Sequence, residues 1–309
     1  MTEVNITFAK EFFLLGFSDL PNLQEFLFLI FLIIYLSILM GNGLIIVITK
    51  VEPSLQTPMY FFLGNFSFLE ICYTSVTLPR ILTDLWTQKR IISFLGCATQ
   101  LFFILILGVT ECFLLTVMAY DRYVAICKPL YYSLIMNHKM CVWLVIGSWT
   151  IGIPILIGLT YQIFSLSFCG SNKLEHVFCD IPPLLKLACG DISAEVFSIY
   201  IDAGLFAMFP CIFIFGSYAK IIATILKLPS ANGRYKAFFT CSSHLMVVSL
   251  YFVSACISYL MPKSSQSSAT EIVLSLFYTI VTPVFNPLIY SLRNKDFIMA
   301  MRKLLPKCV

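Results

Sequence analysis

Residues 25–49 read EFLFLIFLIIYLSILMGNGLIIVIT, and this stretch decides the fold class. Its only charged side chain is Glu25, at the first position. A helix needs about 20 mostly apolar residues to cross the hydrocarbon core of a bilayer, which is about 30 Å thick. The strands of a membrane barrel would instead alternate apolar and polar residues over segments of about 10 residues. The continuous apolar run therefore predicts a membrane-spanning helix.

Six further apolar runs follow, and together the seven runs occupy most of the chain. The predicted spans are 25–49, 58–83, 97–121, 141–161, 196–223, 237–261 and 270–291. The 309 residues are 59% hydrophobic and 12% charged, with a mean hydropathy of +0.91, far more apolar than an average soluble domain. We therefore predict an all-α integral membrane protein. Its seven-transmembrane helix bundle covers residues 25–291, between an N-terminal segment of residues 1–24 and a tail of residues 292–309.

The distribution of Lys and Arg predicts which way this bundle faces. With the N-terminus outside, thirteen basic residues fall on the inner side and six on the outer side, leaving aside Arg80 near the outer end of the second span. Loops rich in Lys and Arg stay in the cytoplasm, so an extracellular N-terminus and a cytoplasmic C-terminus are expected, in the plasma membrane. The net charge of +4 is then a topology signal, and no nucleic-acid partner is expected. Under this orientation Asn5, in the sequon Asn5-Ile6-Thr7, lies outside and could carry a glycan.

Four of the twelve cysteines lie on the predicted outer side. Cys97 begins the third span, and Cys169, Cys179 and Cys189 belong to the loop between the fourth and fifth spans. Four thiols allow three pairings, and spacing alone does not choose among them. We favour Cys97–Cys179, because a bridge from the third helix to the middle of the loop would pin that loop over the mouth of the bundle. Cys169–Cys189 would then close a smaller loop beside it.

Two motifs at the predicted inner ends of helices carry a family resemblance. MAYDRYVAIC at 118–127 resembles the DRY motif of rhodopsin-like receptors, and PVFNPLIYSLRN at 283–294 contains their NPxxY pattern. LQTPMYFFL at 55–63 and KAFFTCSSH at 236–244 narrow the family further. Together these strings resemble class II olfactory receptors, the type typical of land vertebrates, within the rhodopsin-like G-protein-coupled receptor superfamily.

The resemblance implies a receptor for small volatile odorants that activates a stimulatory G protein of the olfactory type and raises cAMP. It also implies a mostly apolar ligand cavity on the outer side. The residues expected to line this cavity are Leu101, Ile104, Leu105, Gly108, Val109, Phe206, Phe252, Ala255, Tyr259 and Leu276. Asp202, in the outer half of the fifth span, could hold an amine there through a charge-assisted hydrogen bond. The alternative is an Asp that lies near the water interface or is paired within the protein.

The same resemblance implies a G-protein switch at the inner side. Its expected members are Asp121, Arg122, Tyr123, Tyr218, His244, Asn286, Pro287 and Tyr290. Asp121 is the expected resting partner of Arg122. One departure from the family concerns the sixth span, where Tyr251-Phe252 reverses the usual Phe-Tyr order. The reversal removes a hydroxyl from the position that resembles the family's switch beneath the ligand.

Two acids in the middle of predicted spans, Glu70 and Glu111, need partners, since an ionised side chain at mid-membrane costs roughly 3 kcal/mol. Asn42 and Asn286 could join them if the superfamily packing holds. Two carboxylates held close together either bind a cation, here possible Na⁺, or share a proton. A protonated polar core that only fixes helix packing is the other interpretation. No other cofactor is expected.

The tail and the rival functions complete the prediction. Apolar residues recur at helical spacing in the tail, at Phe297, Ala300, Met301, Leu304 and Leu305. This spacing predicts a short amphipathic interfacial helix lying on membrane lipid.

An enzyme is not expected, because the three histidines are far apart and lack metal-ligand or nucleophile-base spacing. A non-olfactory chemosensory receptor is the first alternative. A small-molecule transporter is the second, although no internal repeat of the kind many carriers show is visible.

Overall fold

The computed structural model describes residues 10–169, 171–227, 229–260, 268–292 and 295–304. Asn5 lies outside the described residues. The α-helices within these ranges are α1 Gln24–Val51, α2 Pro58–Thr87, α3 Phe94–Cys127, α4 Tyr132–Ile135, α5 His138–Thr150, α6 Ile153–Phe164, α7 Ile181–Leu187, α8 Ser193–Leu226, α9 Ala231–Leu260, α10 Ser268–Leu276, α11 Thr282–Leu292 and α12 Lys295–Leu304. The strands are β1 Glu11–Leu14, β2 Ile91–Ser93 and β3 Lys173–Leu174.

Five helical segments of the described chain are long and apolar enough to cross a membrane. They are Pro21–Val51, Pro58–Thr87, Phe94–Cys127, His138–Phe164 and Ser193–Leu226. Shorter apolar helical stretches, His244–Val253 and Thr270–Phe285, lie in the sixth and seventh predicted spans. Large apolar side chains such as Phe26, Ile33 and Ile212 are more than half exposed on the outside of the bundle. An apolar outer surface of this kind matches a lipid surround.

Each predicted span corresponds to helical structure, but two spans are not uninterrupted α-helices. The fourth is divided into α5 and α6 by a turn at 151–152. Pro154 at the start of α6 explains the division, since proline has no N–H to donate and its ring clashes with the carbonyl four residues before it. The seventh passes from α10 to α11 through a π-helical turn, Phe277–Val281. The turn lies immediately before Pro283, which likewise cannot donate a backbone hydrogen bond.

Helix α3 is the central element of the bundle, because α2, α5, α6, α8 and α9 all pack against it. Its sequence fits this position, since apolar residues are buried on every side of the helix. Leu101, Ile104, Leu114 and Leu115 are all at most 3% exposed. A helix that is apolar all round belongs in the interior. The two ends of α3 are therefore surrounded by the helices that pack against it.

A small sheet closes one end of the bundle. The strands lie in the order β2-β1-β3, with β1 antiparallel to β2 and parallel to β3. Phe13 pairs with Ile91 on one side and with Lys173 on the other. We call this the lid end, and we call the opposite end, which carries α4 and α12, the tail end.

Candidate functional site

Two disulfide bonds hold the lid end together. Cys97 is bonded to Cys179 and Cys169 to Cys189, which are the pairings favoured from the sequence. Gln100, one turn into α3, reinforces the first bridge, because its side-chain oxygen accepts from the backbone N–H of Cys179 at 3.0 Å. The side-chain nitrogen of Gln100 donates to the carbonyl of Val76 in α2 at 3.1 Å. The middle of the loop is therefore fixed to both α2 and α3.

The N-terminal segment forms part of the lid, which the sequence did not predict. Phe12, on β1, is fully buried. Its ring lies 5.4 Å from Phe168 edge to face and 6.1 Å from Phe94 in a stacked arrangement. Phe94 in turn meets Phe164 edge to face at 5.1 Å. This cluster joins the N-terminal strand, the start of α3 and the end of α6 beneath the sheet.

One polar contact ties the lid to a helix below it, and another lies within the loop. Lys186, at the end of α7, donates to both carboxylate oxygens of Glu271 in α10 at 2.7 and 2.8 Å. His176 is buried in the loop, with its Nδ1 3.0 Å from the carbonyl of Phe178. Burial lowers the pKa of His176, and the nearby Asp180 carboxylate partly offsets this effect. A neutral His176 is therefore part of the lid's interior at neutral pH.

The predicted cavity residues lie on the helices just below the lid. Leu101, Ile104 and Phe252 are buried; the half-buried ones are Leu105, Gly108, Val109, Phe206 and Leu276. Phe206 of α8 faces α3, where its ring meets that of Phe113 at 6.5 Å. The side chains of Ala255 and Tyr259 lie outside the described part of the structure. The described members thus share one region of the bundle, although which of them touch a ligand stays a prediction.

Asp202 is half-buried and lies one turn before Phe206 on α8. Residues four apart share a helix face, so Asp202 lies on the face that carries Phe206 toward α3. Ile199, three residues earlier on the same face, is 2% exposed. This face is directed into the bundle, as a role in ligand binding would require.

Tyr251 supplies the hydroxyl that the reversed Tyr-Phe order removes from position 252. Its hydroxyl donates to the carbonyl of Gly108 in α3 at 2.8 Å, and the Cys112 thiol donates to that hydroxyl at 3.3 Å. Neighbouring residues on a helix point about 100° apart, so Tyr251 reaches α3 while the Phe252 ring packs beside it edge to face. Tyr251 therefore links α9 to α3 from the position one residue before Phe252.

At the tail end, Asp121 and Arg122 form no direct salt bridge in the described structure, although the charge of Arg122 acts on the Asp121 carboxylate. The Asp121 carboxylate is buried and accepts from the hydroxyl of Tyr132 in α4 at 2.8 Å. Burial and the nearby Asp121 carboxylate raise the pKa of Tyr132, which keeps it a neutral donor. Adjacent residues on a helix do not face each other, which explains why the expected resting partner of Arg122 is held by another residue.

Arg122 instead lies close enough to α9 for its charge to act on Cys241 and His244. His244 is bound in turn to α8, since its Nδ1 lies 2.6 Å from the Tyr218 hydroxyl and the two rings stack at 5.7 Å. Helices α3, α8 and α9 therefore meet at three predicted switch residues. Tyr123 is half-buried beside Tyr120, and Pro287 is buried near Gly41. The side chains of Asn286 and Tyr290 are not among those described.

Comparison with known proteins decides the family. The family model described as olfactory receptor matches residues 31–307. The chain belongs to the olfactory receptor family. It is 60% identical to human olfactory receptor 10AG1 over 96% of this chain and 99% of that protein. Identity to human olfactory receptor 10A7 is 50%, covering 97% of this chain and 95% of the relative.

The fold of the receptor is that of rhodopsin. The crystal structure of squid rhodopsin matches it with a TM-score of 0.69 at 21% sequence identity, covering 93% of this chain and 81% of that one. This likeness, together with the family, identifies the chain as a seven-helix G-protein-coupled receptor. The predicted fold class is therefore confirmed, and so are the family and the multi-pass arrangement in a membrane. Receptors of this family are not enzymes.

The acidic pair of the receptor lies between α2 and α3. Glu70 and Glu111 are at most 4% exposed and interact electrostatically. Oε1 of Glu111 and Oδ1 of Asn42 are buried without a hydrogen-bond partner in the described structure. The amide nitrogen of Asn42 donates to the carbonyl of Pro283, which joins α1 to the seventh span. Oxygens of this kind suit a hard monovalent cation or a proton. Clusters of three or more His, Cys, Asp or Glu that could hold a metal are absent from the described residues.

An ion pair attaches α12 to the loop after α1. Lys303 donates to Glu52 at 3.0 Å, and Ser54 donates to the same carboxylate at 3.1 Å. The bond from Lys303 lowers the pKa of Glu52, followed by the bond from Ser54. On α12 the side chains of Phe297 and Ala300 are buried, whereas those of Arg302 and Lys303 are exposed. This separation of buried apolar and exposed basic side chains is the pattern predicted for the interfacial helix.

Proposed function

We propose that the receptor binds small, mostly apolar volatile molecules beneath its lid and activates a stimulatory G protein of the olfactory type, raising cAMP. The single observation that carries this proposal is the course of α3. At the lid end it presents Leu101 and Ile104 under a disulfide-pinned loop. At the tail end it carries Arg122, whose charge acts on the His244 of the Tyr218–His244 contact. One rigid helix thus joins an apolar pocket to a G-protein switch.

The proposed orientation places the lid end outside the plasma membrane and the tail end in the cytoplasm. The excess of Lys and Arg at the tail end supports it. Disulfide bonds at the lid end support it as well, because such bonds persist in oxidising compartments. Asn5 would then be exposed to the glycosylation machinery.

A panel of volatile odorants, applied to cells that carry the receptor and a cAMP reporter, tests the function directly. We expect at least one odorant to raise cAMP with a saturable concentration dependence, while cells with an empty vector do not respond. Uptake of an odorant without any cAMP signal would favour a transporter. A response confined to non-volatile compounds would favour the non-olfactory chemosensory alternative.

We further propose that Asp202 selects amines within this pocket. A charge-assisted hydrogen bond to a buried ammonium is worth about 1.5–3 kcal/mol. Changing Asp202 to Asn is therefore expected to raise the half-maximal concentration of an amine odorant roughly 10- to 100-fold. The concentration for a neutral odorant of similar size should not change. Asp191→Asn, an exposed acid on the same side of the bundle, is the matched control. Equal losses for both odorants, or none, would contradict the proposal.

We propose that Glu70 and Glu111 hold either Na⁺ or a shared proton. If Na⁺ is bound, exchanging sodium for choline should shift odorant potency, and Glu111→Gln should abolish that shift. A shared proton predicts a response that depends on pH but not on sodium. Insensitivity to both would leave only a polar core that fixes helix packing, and would refute both forms of this proposal.

A further inference from the structure

A groove of about 720 Å³ opens at the tail end between α1, α2 and α5. Helix α2 packs against both of the other helices, so its first turns form the floor. Five of the lining residues define this tail-end groove here: Lys50, Thr57, Phe61, Phe68 and His138. Its volume falls within the range of about 300–1,000 Å³ that is usual for ligand sites. Neither odorant binding nor the Arg122 switch involves it.

The groove changes from polar to apolar along its length. Lys50 ends α1 and His138 begins α5, and both side chains are exposed at the mouth. Phe61 lies beside the mouth, with its ring 5.9 Å from that of His138. Two turns farther along α2, Phe68 is 52% exposed in the groove. From Thr57 to Phe68 a helix rises about 16 Å, which is close to half of the ~30 Å hydrocarbon core. The groove therefore spans one leaflet.

The mouth of the groove is suited to an anion. Among the described residues that line it, none is Asp or Glu. The nearby acid, Glu52, is buried and bound to Lys303, so it does not neutralise Lys50. Thr57 precedes α2 as its N-terminal cap residue, and its side chain makes no capping hydrogen bond. Pro58 has no N–H, and the N–H of Phe61 donates to the Thr57 carbonyl at 3.0 Å, so the first turn of α2 favours an anion at the mouth mainly through the positive end of the helix dipole.

We propose that the tail-end groove binds an anionic phospholipid of the cytoplasmic leaflet. The headgroup phosphate lies against Lys50 and the first turn of α2, within reach of a hydrogen bond from His138. An acyl chain lies along Phe61 and Phe68. This inference rests on the proposed orientation, which puts the tail end at the leaflet where anionic lipids are enriched.

Native mass spectrometry of the purified full-length receptor, incubated with equal amounts of phosphatidylserine, phosphatidylcholine and cholesterol, tests the site. We expect phosphatidylserine to be retained in preference to phosphatidylcholine. A cationic side chain near an anionic headgroup contributes about 1 kcal/mol, so Lys50→Gln should lower this preference roughly fivefold. Lys50→Arg should restore it. Lys227→Gln removes one tail-end charge from the far end of α8 and should leave the preference unchanged.

A second variant tests the apolar part of the groove. Asn65 is half-buried there and donates only to the Phe61 carbonyl of its own helix, at 2.8 Å. Asn65→Phe would fill the space and is expected to reduce phosphatidylserine retention without changing odorant-evoked cAMP. An equal preference in wild type and Lys50→Gln would overturn the proposal. Retention of cholesterol in place of phosphatidylserine would overturn it too, as would a Lys50→Gln defect confined to G-protein activation. Lipid preference without any odorant response would refute the proposed function alone.

Discussion

Changing Cys97 to alanine is expected to remove most of the receptor from the cell surface and to lower its free energy of unfolding by about 4 kcal/mol. The Cys97–Cys179 bridge spans a sequence separation of 82 residues. Breaking it releases a long loop in the unfolded chain, and the entropy gained there increases with loop length. The measurements are antibody labelling of an N-terminal tag on intact cells and the thermal unfolding of the solubilised receptor.

The consequences of this change extend beyond the bridge. Gln100 accepts from the N–H of Cys179, and the aromatic cluster around Phe12 packs under the same loop. Once Cys179 is released, these contacts lose the constraint that holds their partners in place. The N-terminal strand should then separate from β3, since its parallel pairing depends on where the loop lies.

Two control variants make the result specific. The Cys169–Cys189 bridge closes a separation of only 20 residues, so the double alanine variant should lose about 3 kcal/mol, less than Cys97→Ala. Cys72→Ala removes a free, half-buried thiol and should have a small effect. If Cys97→Ala kept the surface level and unfolding temperature of Cys72→Ala, the bridge would not be what holds the lid.

The helices were predictable because lipid imposes a local rule on the sequence. Every residue in a span must be compatible with an apolar solvent, so the signal lies within about 20 consecutive residues. The lid sheet has no such signal. Strand β1 has four residues and β3 two, too few for alternation to stand out. Its pairing also joins Phe13 to Lys173, which are adjacent only after the bundle and the Cys97–Cys179 bridge have formed.

Among the site residues, those in sequence motifs could be predicted, whereas contacts that depend on how the helices pack could not. Motifs identified Arg122, Tyr218 and His244, and the structure brings them together at one end of α3, α8 and α9. The hydrogen bond from Tyr132 to Asp121 was not predicted, because sequence adjacency suggested Arg122 as the partner whereas helix geometry directs the Asp121 carboxylate to Tyr132. Tyr132 belongs to α4, and the sequence of α3 does not indicate where α4 lies.

Changing Arg122 to alanine is expected to abolish odorant-evoked cAMP while leaving the receptor at the cell surface. In the structure the charge of Arg122 acts on His244 of α9, and α9 is held to α8 by the Tyr218–His244 hydrogen bond. A guanidinium is always charged and presents five donors. If α9 moves outward on activation, that group becomes the main hydrogen-bond donor facing the opened crevice. With alanine at position 122, a bound G protein would lose this hydrogen-bond donor.

The matched control for this change is Arg302→Ala. Both variants remove one arginine from the tail end, so any effect on membrane orientation should be equal. Arg302 lies exposed on α12, away from the junction of α3, α8 and α9. It should therefore keep the odorant response. The measurement is the cAMP dose response normalised to surface labelling of the same cells. A normal response from Arg122→Ala, or an equal loss from Arg302→Ala, would remove Arg122 from the switch.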